Sequence, residues 1–526
     1  MADRFRLGSG VEMSSATRSS PAIVANIVAG VSVAMIAVPQ ALAYAELAGL
    51  PAKHGLYAAA LPSILAAFFA SSPYLQTGPV ALTALLTFGA LSPLAEPFSA
   101  EYVALAALLA LFVGLVRLAL GFGRMGKVAY LLSEPVLIGF TTGAAVLIIA
   151  SQAPKLVDVT TGDGGVVREA ASALTDPANW AWPAVAFSVM TAVFVIGGRF
   201  LSPRFPGVLV AVVVAAIASA AATYGGSIVG TVDASLIEFT LERESFGGDA
   251  VRLLFPALAI ALVGFTEPAS IARRFAAEDR EPWDADREMV GQGVANVAAG
   301  VFGGFPVGGS FSRSSLNRLA GANSRLAGAV SGATVLVAIP LVGLLEELPT
   351  AVLGAIVVVA VAKLIVPAAF IRLLRESPAQ AFVAFGTLAA VLVASPRIEL
   401  GVLVGVVLSI GVHLYRELQV TADSTIDGDR LDIRPKGVLW FATVPQIGRV
   451  IRAEVASHPE LERIVIDLSG IGRLDYTGAA ELARIVAELE VSGLDVTIVE
   501  VQPGAARAAA AHLTDSVSPS ERLTSG

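Results

Sequence analysis

Apolar stretches of about twenty residues follow one another along most of this chain, and they restrict its fold more than any other feature. Hydrophobic residues make up 55% of the sequence and charged residues 15%, with a mean hydropathy of +0.75. These values lie far outside the range of soluble globular proteins. In a bilayer the backbone must satisfy its own hydrogen bonds, so such stretches form helices. The sequence therefore predicts an α-helical polytopic membrane protein.

Fourteen segments qualify as membrane spans, although the third and the tenth are short. The spans lie near residues 22–45, 55–71, 79–94, 101–121, 129–152, 181–198, 206–223, 252–272, 289–304, 310–321, 325–346, 349–366, 379–395 and 398–415. With the N-terminus inside, basic residues such as Arg273, Arg318 and Arg372 fall in cytoplasmic loops, as the positive-inside rule requires. The opposite loops are acidic, and the even number of spans returns the chain to the cytoplasm near Arg416.

The composition excludes several classes of function. The chain has no cysteine, so it has no disulfides and no thiolate metal sites. Its net charge of -8 is spread along the chain and offers no basic stripe for nucleic acid. We find no nucleophile with a base and an orienting group, and no cluster of metal ligands. We therefore expect neither an enzyme nor a bound metal or cofactor.

The ends of the chain differ from the membrane region. Residues 1–21 lack the features of a removable signal peptide and form a polar cytosolic tail, so the first span acts as an uncleaved signal anchor. Residues 22–415 form the transmembrane domain and 416–429 a linker. In residues 430–513, LDIRPKGVLWFA, RIVIDLSGI and DVTIVEVQ read as strands and GAAELARIVAELEVSG as an amphipathic helix, which predicts a small cytosolic α/β domain. The tail 514–526 is expected to be disordered.

Two short spans begin with helix-breaking residues in the middle of the membrane region. In QTGPVALTALLTFGAL we expect Gly78 to cap the third span and Pro79 to be its first helical residue. In FGGFPVGGSFSRSSLNRLAG, two glycines precede Ser310, a good helix cap, so a short helix should start near Phe311.

These breaks occupy corresponding positions, because each is the third span of seven in its half. Such a pair is the best sequence indication of a transporter's binding site. Each helix N-terminus carries about half a positive charge, so two facing ends would hold about one anion. The alternative is that the glycines serve close helix packing, as small residues often do in membranes.

Charged residues within the spans are few. Arg117, Lys363 and His413 lie near predicted cytoplasmic ends, where their side chains can snorkel to the membrane surface. Arg313 instead falls in the first turn of the short tenth helix, and Glu267 lies towards the middle of the eighth span.

Arg313 and Glu267 could form a structural pair, or they could act in transport. Burial of Glu267 at that depth favours its protonated form, which suits a proton carrier. A sodium site would need several more oxygen ligands, and one turn later Ile271 offers none. We therefore favour coupling to protons over coupling to sodium.

Gln40 and Tyr44 lie one helical turn apart after Pro39, so both could face one cavity. Gln40 could hydrogen-bond an anion. Buried amides also join helices within membranes, and the sequence does not decide between these two roles.

The motifs VPQALAYAELAGLPAKHGLYAA, QTGPVAL, LSEPVLIGF and GFPVGGSFSRSSLN, in this order, resemble the SulP (sulfate permease) family of anion transporters. The resemblance covers nearly the whole chain, because IDLSGIGRLDYTGAAEL is similar to the STAS domain that follows the membrane part in that family. It implies an inverted repeat of seven plus seven spans, a core and a gate domain, an elevator-like movement and a homodimer. It also implies a multi-pass protein of the cell inner (plasma) membrane with a cytoplasmic N-terminus and STAS domain.

The resemblance also implies site residues. Val80 stands where relatives have an aromatic residue, which implies a roomier pocket, and Glu267 matches the acidic position of coupled transporters. In the STAS domain, Thr477 occupies the place of a phosphorylated residue, although a threonine there is also a good helix cap, the role we favour. The predicted substrate site comprises Gln40, Tyr44, Gly78, Pro79, Val80, Ala81, Phe311, Ser312 and Arg313, with Glu267 as the coupling group and Thr477 as a candidate phosphorylation site.

The leading hypothesis is secondary active symport of a small anion, such as a dicarboxylate, sulfate or bicarbonate, with a proton. Sodium-coupled transport and anion exchange are alternatives. A nucleobase permease of the same fold is another, although Arg313 and the STAS-like domain argue against it. A signalling protein tethered by its helices would not need fourteen spans with broken helices.

Overall fold

The computed structural model describes residues 20–127, 133–162, 164–202, 205–231 and 249–513. The predicted disordered tail 514–526 and residues 1–19 of the predicted N-terminal tail lie outside the described residues. The chain divides into two compact units, Met1–Leu408 and Ser409–Gly526.

The first unit is helical, and a helix lies at each of the fourteen predicted spans, the last of which continues past Leu408. Its elements are α1 (Ser20–Leu47), α2 (Lys53–Phe69), β1 (Thr77–Gly78), α3 (Ala81–Leu91), α4 (Ala100–Phe122), α5 (Glu134–Val157), α6 (Val166–Thr175), α7 (Trp182–Ala192), α8 (Gly198–Leu201), α9 (Gly207–Ala222), α10 (Asp249–Arg252), α11 (Leu254–Asp279), α12 (Ala285–Val301), β2 (Gly308–Gly309), α13 (Phe311–Leu319), α14 (Leu326–Ala338), α15 (Thr350–Val361), α16 (Pro367–Glu376), α17 (Pro378–Ala394) and α18 (Ile398–Glu417). A π-helical turn, Val193–Gly197, joins α7 to α8. The 3-10 turns Ile339–Leu345 and Ala362–Leu364 follow α14 and α15.

Within the described residues, seven helical stretches are long and apolar enough to cross a membrane, and four shorter apolar helices accompany them. The prediction of a multi-pass helical membrane protein is therefore confirmed, whereas the number of fourteen crossings stays a prediction. One of the seven stretches, Thr350–Glu376, contains two helices separated by the 3-10 turn Ala362–Leu364 and the non-helical residues Ile365 and Val366.

The helices of the first unit pack as two bundles, and each bundle draws on both halves of the sequence. The core bundle consists of α1–α4 with α11–α14, and the gate bundle consists of α5–α9 with α15–α18. The contact between α4 and α12 depends on glycine: a Cβ atom on Gly114 would lie 2.5 Å from the backbone of Val297, and one on Gly300 would lie 2.6 Å from that of Ala107. Small residues thus let the two helices touch backbone to backbone.

Two helices lie outside the predicted spans. α6 buries Ala170 and Ala173, and α16 buries Phe370. Each follows the fifth predicted span of its half, and each belongs to the gate bundle. Neither was predicted, because ten residues with several charges do not stand out beside long apolar stretches.

The second unit is an α/β domain, as predicted. Its elements are β3 (Thr421–Asp427), β4 (Arg430–Leu439), α19 (Val444–Ser457), β5 (Arg463–Asp467), β6 (Ile471–Leu474), α20 (Tyr476–Val491), β7 (Asp495–Val499) and α21 (Pro503–His512). The strand order is β3-β4-β5-β7, with β6 beside the end of β4, and among the described strands of this unit only the β3–β4 pair is antiparallel. Alternate residues of the strands, such as Leu431 and Ile433, are buried against α19 and α20.

The predicted elements of this unit differ from the structure in three places. RIVIDLSGI is not one strand, because the 3-10 turn Leu468–Gly470 separates β5 from β6. The predicted linker 416–429 contains β3, which pairs with β4 along its whole length. Helices α19 and α21 were not predicted.

Candidate functional site

The two breaks predicted in the membrane region lie side by side. Thr77 and Gly78 pair antiparallel with Gly309 and Gly308, and the Ser310 N–H donates to the carbonyl of the residue before β1, at 3.0 Å. The two short strands therefore lie side by side where the two broken spans meet, a place called the crossing below. A short helix follows each strand.

The starts of these helices agree with the prediction in one case. Ser310 caps α13, which begins at Phe311 as predicted. The prediction that Gly78 caps α3 is wrong, since Val80 is the cap and the helix begins at Ala81. Gly78 instead belongs to β1, with a φ of +155° that favours glycine.

Polar side chains satisfy the irregular backbone at this crossing. Asn296 accepts from the Val307 N–H at 2.9 Å and donates to its carbonyl at 3.0 Å. Gln292 donates to the Thr77 hydroxyl at 2.7 Å, and the Ser63 hydroxyl donates to the Thr77 carbonyl at 2.5 Å. Non-helical backbone within a membrane requires such partners.

Arg117 also serves the crossing, and the prediction that it snorkels is wrong. Its side chain is fully buried and donates to the carbonyls of Ile260, Ala261 and Val307, at 3.2, 3.1 and 3.0 Å. The guanidinium thus joins α4 to α11 and to the residue before β2. The sequence placed it near a helix end but could not show that other helices enclose that end.

Arg313 connects the starts of the two half-length helices. It lies in the first turn of α13, as predicted, is 2% exposed, and donates from Nη2 to the Pro79 carbonyl at 2.8 Å. Among the described residues its Nε has no hydrogen-bond partner. A Cβ atom on Gly78 would lie 3.3 Å from Nη2, so the glycine leaves room for the guanidinium.

A cavity of about 370 Å³ opens beside Arg313. Four predicted site residues line it, namely Gln40, Phe311, Ser312 and Arg313. The Gln40 Oε1 is buried and has no partner among the described residues. An amide oxygen only accepts hydrogen bonds, so an anion at Gln40 would bind its NH2 group. The cavity is bounded on one side by α1 and α13 of the core bundle, and on the other by α9, α15 and the π-helical turn of the gate bundle.

The remaining residues of the predicted substrate site do not line this cavity. Tyr44, Val80 and Ala81 are each less than a tenth exposed. Tyr44 is close enough to interact electrostatically with both Arg313 and Glu267. Gly78 and Pro79 lie under the Arg313 guanidinium, and Val80 does not line the cavity.

Glu267 belongs to α11, and its carboxylate lies near the start of α13. The backbone N–H of Phe311, the first residue of α13, is directed at its carboxylate, and Arg313 and Lys363 are close enough to attract it. The hydrogen bond of Arg313 goes to Pro79, so the two charges are neighbours rather than a hydrogen-bonded pair. The carboxylate therefore lies at the helix end whose N–H groups an anion would use.

Lys363 is the residue that the sequence interpretation missed. It lines the cavity, and its Nζ lies 5.5 Å from the centroid of the Phe311 ring. It follows α15 in a 3-10 turn rather than reaching from a helix end to the membrane surface. The nearby Pro367 signals that a helix ends here, but nothing in the sequence brings this turn to α13.

In the second unit, the predicted capping role of Thr477 is wrong. Asp475 caps α20 and accepts from the Gly478 N–H at 2.6 Å. The exposed hydroxyl of Thr477 donates to the same carboxylate at 3.1 Å. An aspartate that already caps the helix leaves this hydroxyl at the surface, and its phosphorylation stays a prediction.

Comparisons with known proteins agree with the family resemblance. The model of the sulfate permease family matches residues 23–387, and that of the STAS domain matches residues 421–522. A Mycobacterium tuberculosis protein named "Probable sulfate transporter" is 36% identical over 405 residues, 76% of this chain and 72% of the relative. The Arabidopsis thaliana "Probable sulfate transporter 4.2" is 29% identical over 517 residues, 90% of this chain and 75% of the relative.

Solved structures show the same fold. The murine Solute Carrier 26 family member A9 anion transporter, in its inward-facing state, superposes with a TM-score of 0.86 at 22% identity, over 97% of this chain and 92% of that one. The transmembrane domain of the cyanobacterium bicarbonate transporter BicA gives a TM-score of 0.61 at 24% identity, over 74% of this chain and 97% of that one.

The membrane unit, the broken helices and the STAS domain thus agree with these matches. The matches confirm a multi-pass membrane protein of an anion transporter family, rather than an enzyme. The chain belongs to the sulfate permease family, and its C-terminal unit is a STAS domain.

Proposed function

We propose that this protein is a secondary active transporter that moves a small anion together with a proton, and that Glu267 carries the proton. The observation that supports this most directly is that the Glu267 carboxylate and the Arg313 guanidinium share the start of α13, beside a cavity. Gln40, Ser312 and Arg313 bind the anion there, and the N-terminus of α13 adds its partial positive charge.

The Glu267 carboxylate and the anion compete for the start of α13, and this competition couples anion binding to proton binding. An ionised Glu267 is attracted to the Phe311 N–H and neutralises part of the positive charge that attracts the anion. Protonation removes that negative charge and leaves the helix end to the anion. Each ligand therefore strengthens the binding of the other, as thermodynamic linkage requires.

The charges around the cavity favour a divalent anion. Arg313 and Lys363 supply two positive charges at the cavity, and protonation of Glu267 removes a negative charge close to both. Sulfate matches this charge, and proteins named as sulfate transporters are among the relatives. Dicarboxylates carry the same charge, and bicarbonate carries half of it.

Movement of the core bundle against the gate bundle would carry the anion across the membrane. The cavity lies between the two bundles, and its anion-binding side belongs to the core bundle. An elevator-like shift of the core bundle would move the whole site and leave the gate bundle in place. We place the protein in the cell inner membrane as a homodimer, with its N-terminus and STAS domain in the cytoplasm.

The test is uptake of radioactive sulfate into proteoliposomes with an imposed pH gradient. The wild-type protein should accumulate sulfate when the outside is acidic and should acidify the lumen. Glu267→Gln keeps an acceptor for the Phe311 N–H but cannot release a proton. It should bind sulfate and exchange it, yet lose accumulation driven by the pH gradient.

Glu278→Gln is the matched control, because Glu278 is an exposed residue on the same helix. It should behave like the wild type. Proton-driven accumulation that persists in Glu267→Gln would disprove the role of Glu267, and accumulation that requires a sodium gradient would disprove proton coupling.

A further inference from the structure

The short helix α16 leaves an apolar face uncovered. Phe370 is buried, and its ring lies 4.9 Å from that of Phe385 on α17. Ile371 and Leu374 are 50% and 53% exposed, and Val366, just before the helix, is 43% exposed. Phe370 thus fastens the helix to the gate bundle, while its neighbours remain available for another contact.

Spacing places these exposed residues together. Ile371 and Leu374 are three residues apart and share one side of the helix. Arg372 and Arg375 are exposed on the adjoining side, and Arg372 donates to Glu134 at the start of α5, at 2.9 Å. An exposed apolar face bordered by arginines is typical of a helix that lies in a membrane surface.

The backbone excludes α16 as a membrane span of its own. Ten residues of helix measure about 15 Å, half the thickness of a bilayer core. Ile365 and Val366 before it, and Ser377 after it, are non-helical, so the chain changes direction at both ends. The apolar helices α15 and α17 on either side bring α16 to the edge of the membrane.

The geometry points to the membrane lipid as the partner of this face. We propose that Ile371 and Leu374 enter the boundary between headgroups and acyl chains of the cytoplasmic leaflet, with Arg375 beside the lipid phosphates. This contact fixes the turn Ala362–Leu364, which ends three residues before α16, and so positions Lys363 at the cavity. The claim that this contact positions Lys363 rests on the proposed role of Lys363 in anion binding.

A second short helix of the gate bundle, α6, is also amphipathic, and the predicted topology places it at the opposite surface of the membrane. α6 buries Ala170 and Ala173 while Val167 and Leu174 are 56% and 49% exposed. Trp182, a residue type enriched at membrane surfaces, follows nearby and is 61% exposed. The gate bundle thus carries an amphipathic helix after the fifth span of each half, which suits a bundle held at a fixed depth.

The absence of cysteine from the sequence allows a direct test of depth with single spin labels. Leu374→Cys and Glu376→Cys, on opposite sides of α16, are labelled with a nitroxide in liposomes of phosphatidylcholine and phosphatidylglycerol. Collisions with oxygen report lipid, and collisions with a water-soluble nickel chelate report water. The label at position 374 should collide with oxygen and be protected from nickel, and the label at 376 should show the reverse. Equal, high exposure of both labels to nickel would overturn the lipid contact.

The link to Lys363 is tested by sulfate affinity. Ile371→Gln with Leu374→Gln should raise the KM at least about fivefold with kcat less affected. The same pair of changes should have little further effect in a Lys363→Met background, because both act through one side chain. An unchanged KM, or effects that multiply fully, would overturn the positioning role. Since the spin-label result needs no transport, it stands or fails independently of the proposed function.

Discussion

At the scale of single residues, Arg313 has two tasks that can be separated. Its charge attracts the anion, and its hydrogen bond to Pro79 joins α13 to α3. Lysine keeps the charge but not the planar group that makes this contact.

Arg313→Ala should therefore raise the dissociation constant for sulfate about 10- to 100-fold, the worth of one charge-assisted hydrogen bond. Arg313→Lys should lose less affinity. Isothermal titration with sulfate checks both variants, and Arg416→Ala, an exposed arginine of α18, is the control. Unchanged affinity in folded Arg313→Ala would remove this residue from the site.

Lys363 should decide between divalent and monovalent anions. Lys363→Met keeps the length of the side chain and removes one of two positive charges at the cavity. We expect the KM for sulfate to rise about tenfold, and the KM for a monovalent anion such as bicarbonate to rise less. Competition of labelled sulfate uptake by both anions measures this ratio. Lys127→Met, at an exposed position, should not change it.

The sequence identified most of the polar residues at the cavity but not all of them. Gln40 and Arg313 stood out because a polar group within an apolar span needs a reason. Lys363 did not, because a lysine near a helix end can reach the membrane surface in most folds. Only the packing of the turn after α15 against α13 brought it to the cavity.

At the scale of elements, the crossing of β1 and β2 depends on Asn296. This side chain makes two hydrogen bonds to the backbone of Val307, and it is fully buried. Val307 lies between α12 and α13, so its backbone groups take no part in the hydrogen bonding of a helix backbone and need side-chain partners.

Asn296→Ala should leave the Val307 N–H without this partner and cost about 1–3 kcal/mol, whereas the Val307 carbonyl still accepts from Arg117. The variant should unfold at a lower temperature in detergent, as measured by the fluorescence of its tryptophans. Asn179→Ala removes an exposed asparagine and should have little effect. Equal melting temperatures for the two variants would contradict a structural role for Asn296.

The elements were predicted well where local chemistry decides them. Ser310 followed by a helical stretch marked the start of α13 correctly, because capping depends on neighbouring residues. The same reasoning failed at Gly78, because pairing with Gly308 took precedence over capping. It also failed at Thr477, where Asp475 caps α20.

At the scale of the whole molecule, two separate hydrophobic cores predict that the two units fold independently of each other. The core of the second unit contains residues of β4, β5 and α20, and it excludes the helices of the first unit. A domain of this size is usually stable by about 5–15 kcal/mol.

Residues 418–526 produced alone should therefore unfold cooperatively in urea, as followed by circular dichroism. A chain that ends at Glu417 should still be stabilised against heat by millimolar sulfate, because every proposed anion ligand lies in the first unit. Loss of that sulfate effect, in a protein that still folds, would show that the STAS domain is needed for the site.

The sequence by itself determined the class of the protein and the places where its helices break. Run length and hydropathy set the membrane helices, and glycine, proline and serine set the breaks, because these effects act within one or two helical turns. It also carried the motifs of the family, which extend over most of the chain.

Only the tertiary structure decided which of these pieces meet. Arg313 and Pro79 are 234 residues apart in the chain, yet a hydrogen bond joins them. Glu267 reaches the start of α13, Arg117 is enclosed rather than at the surface, and Lys363 faces the cavity. These placements follow from the packing of helices drawn from both halves of the chain, which depends on contacts between distant residues and leaves no local pattern in the sequence.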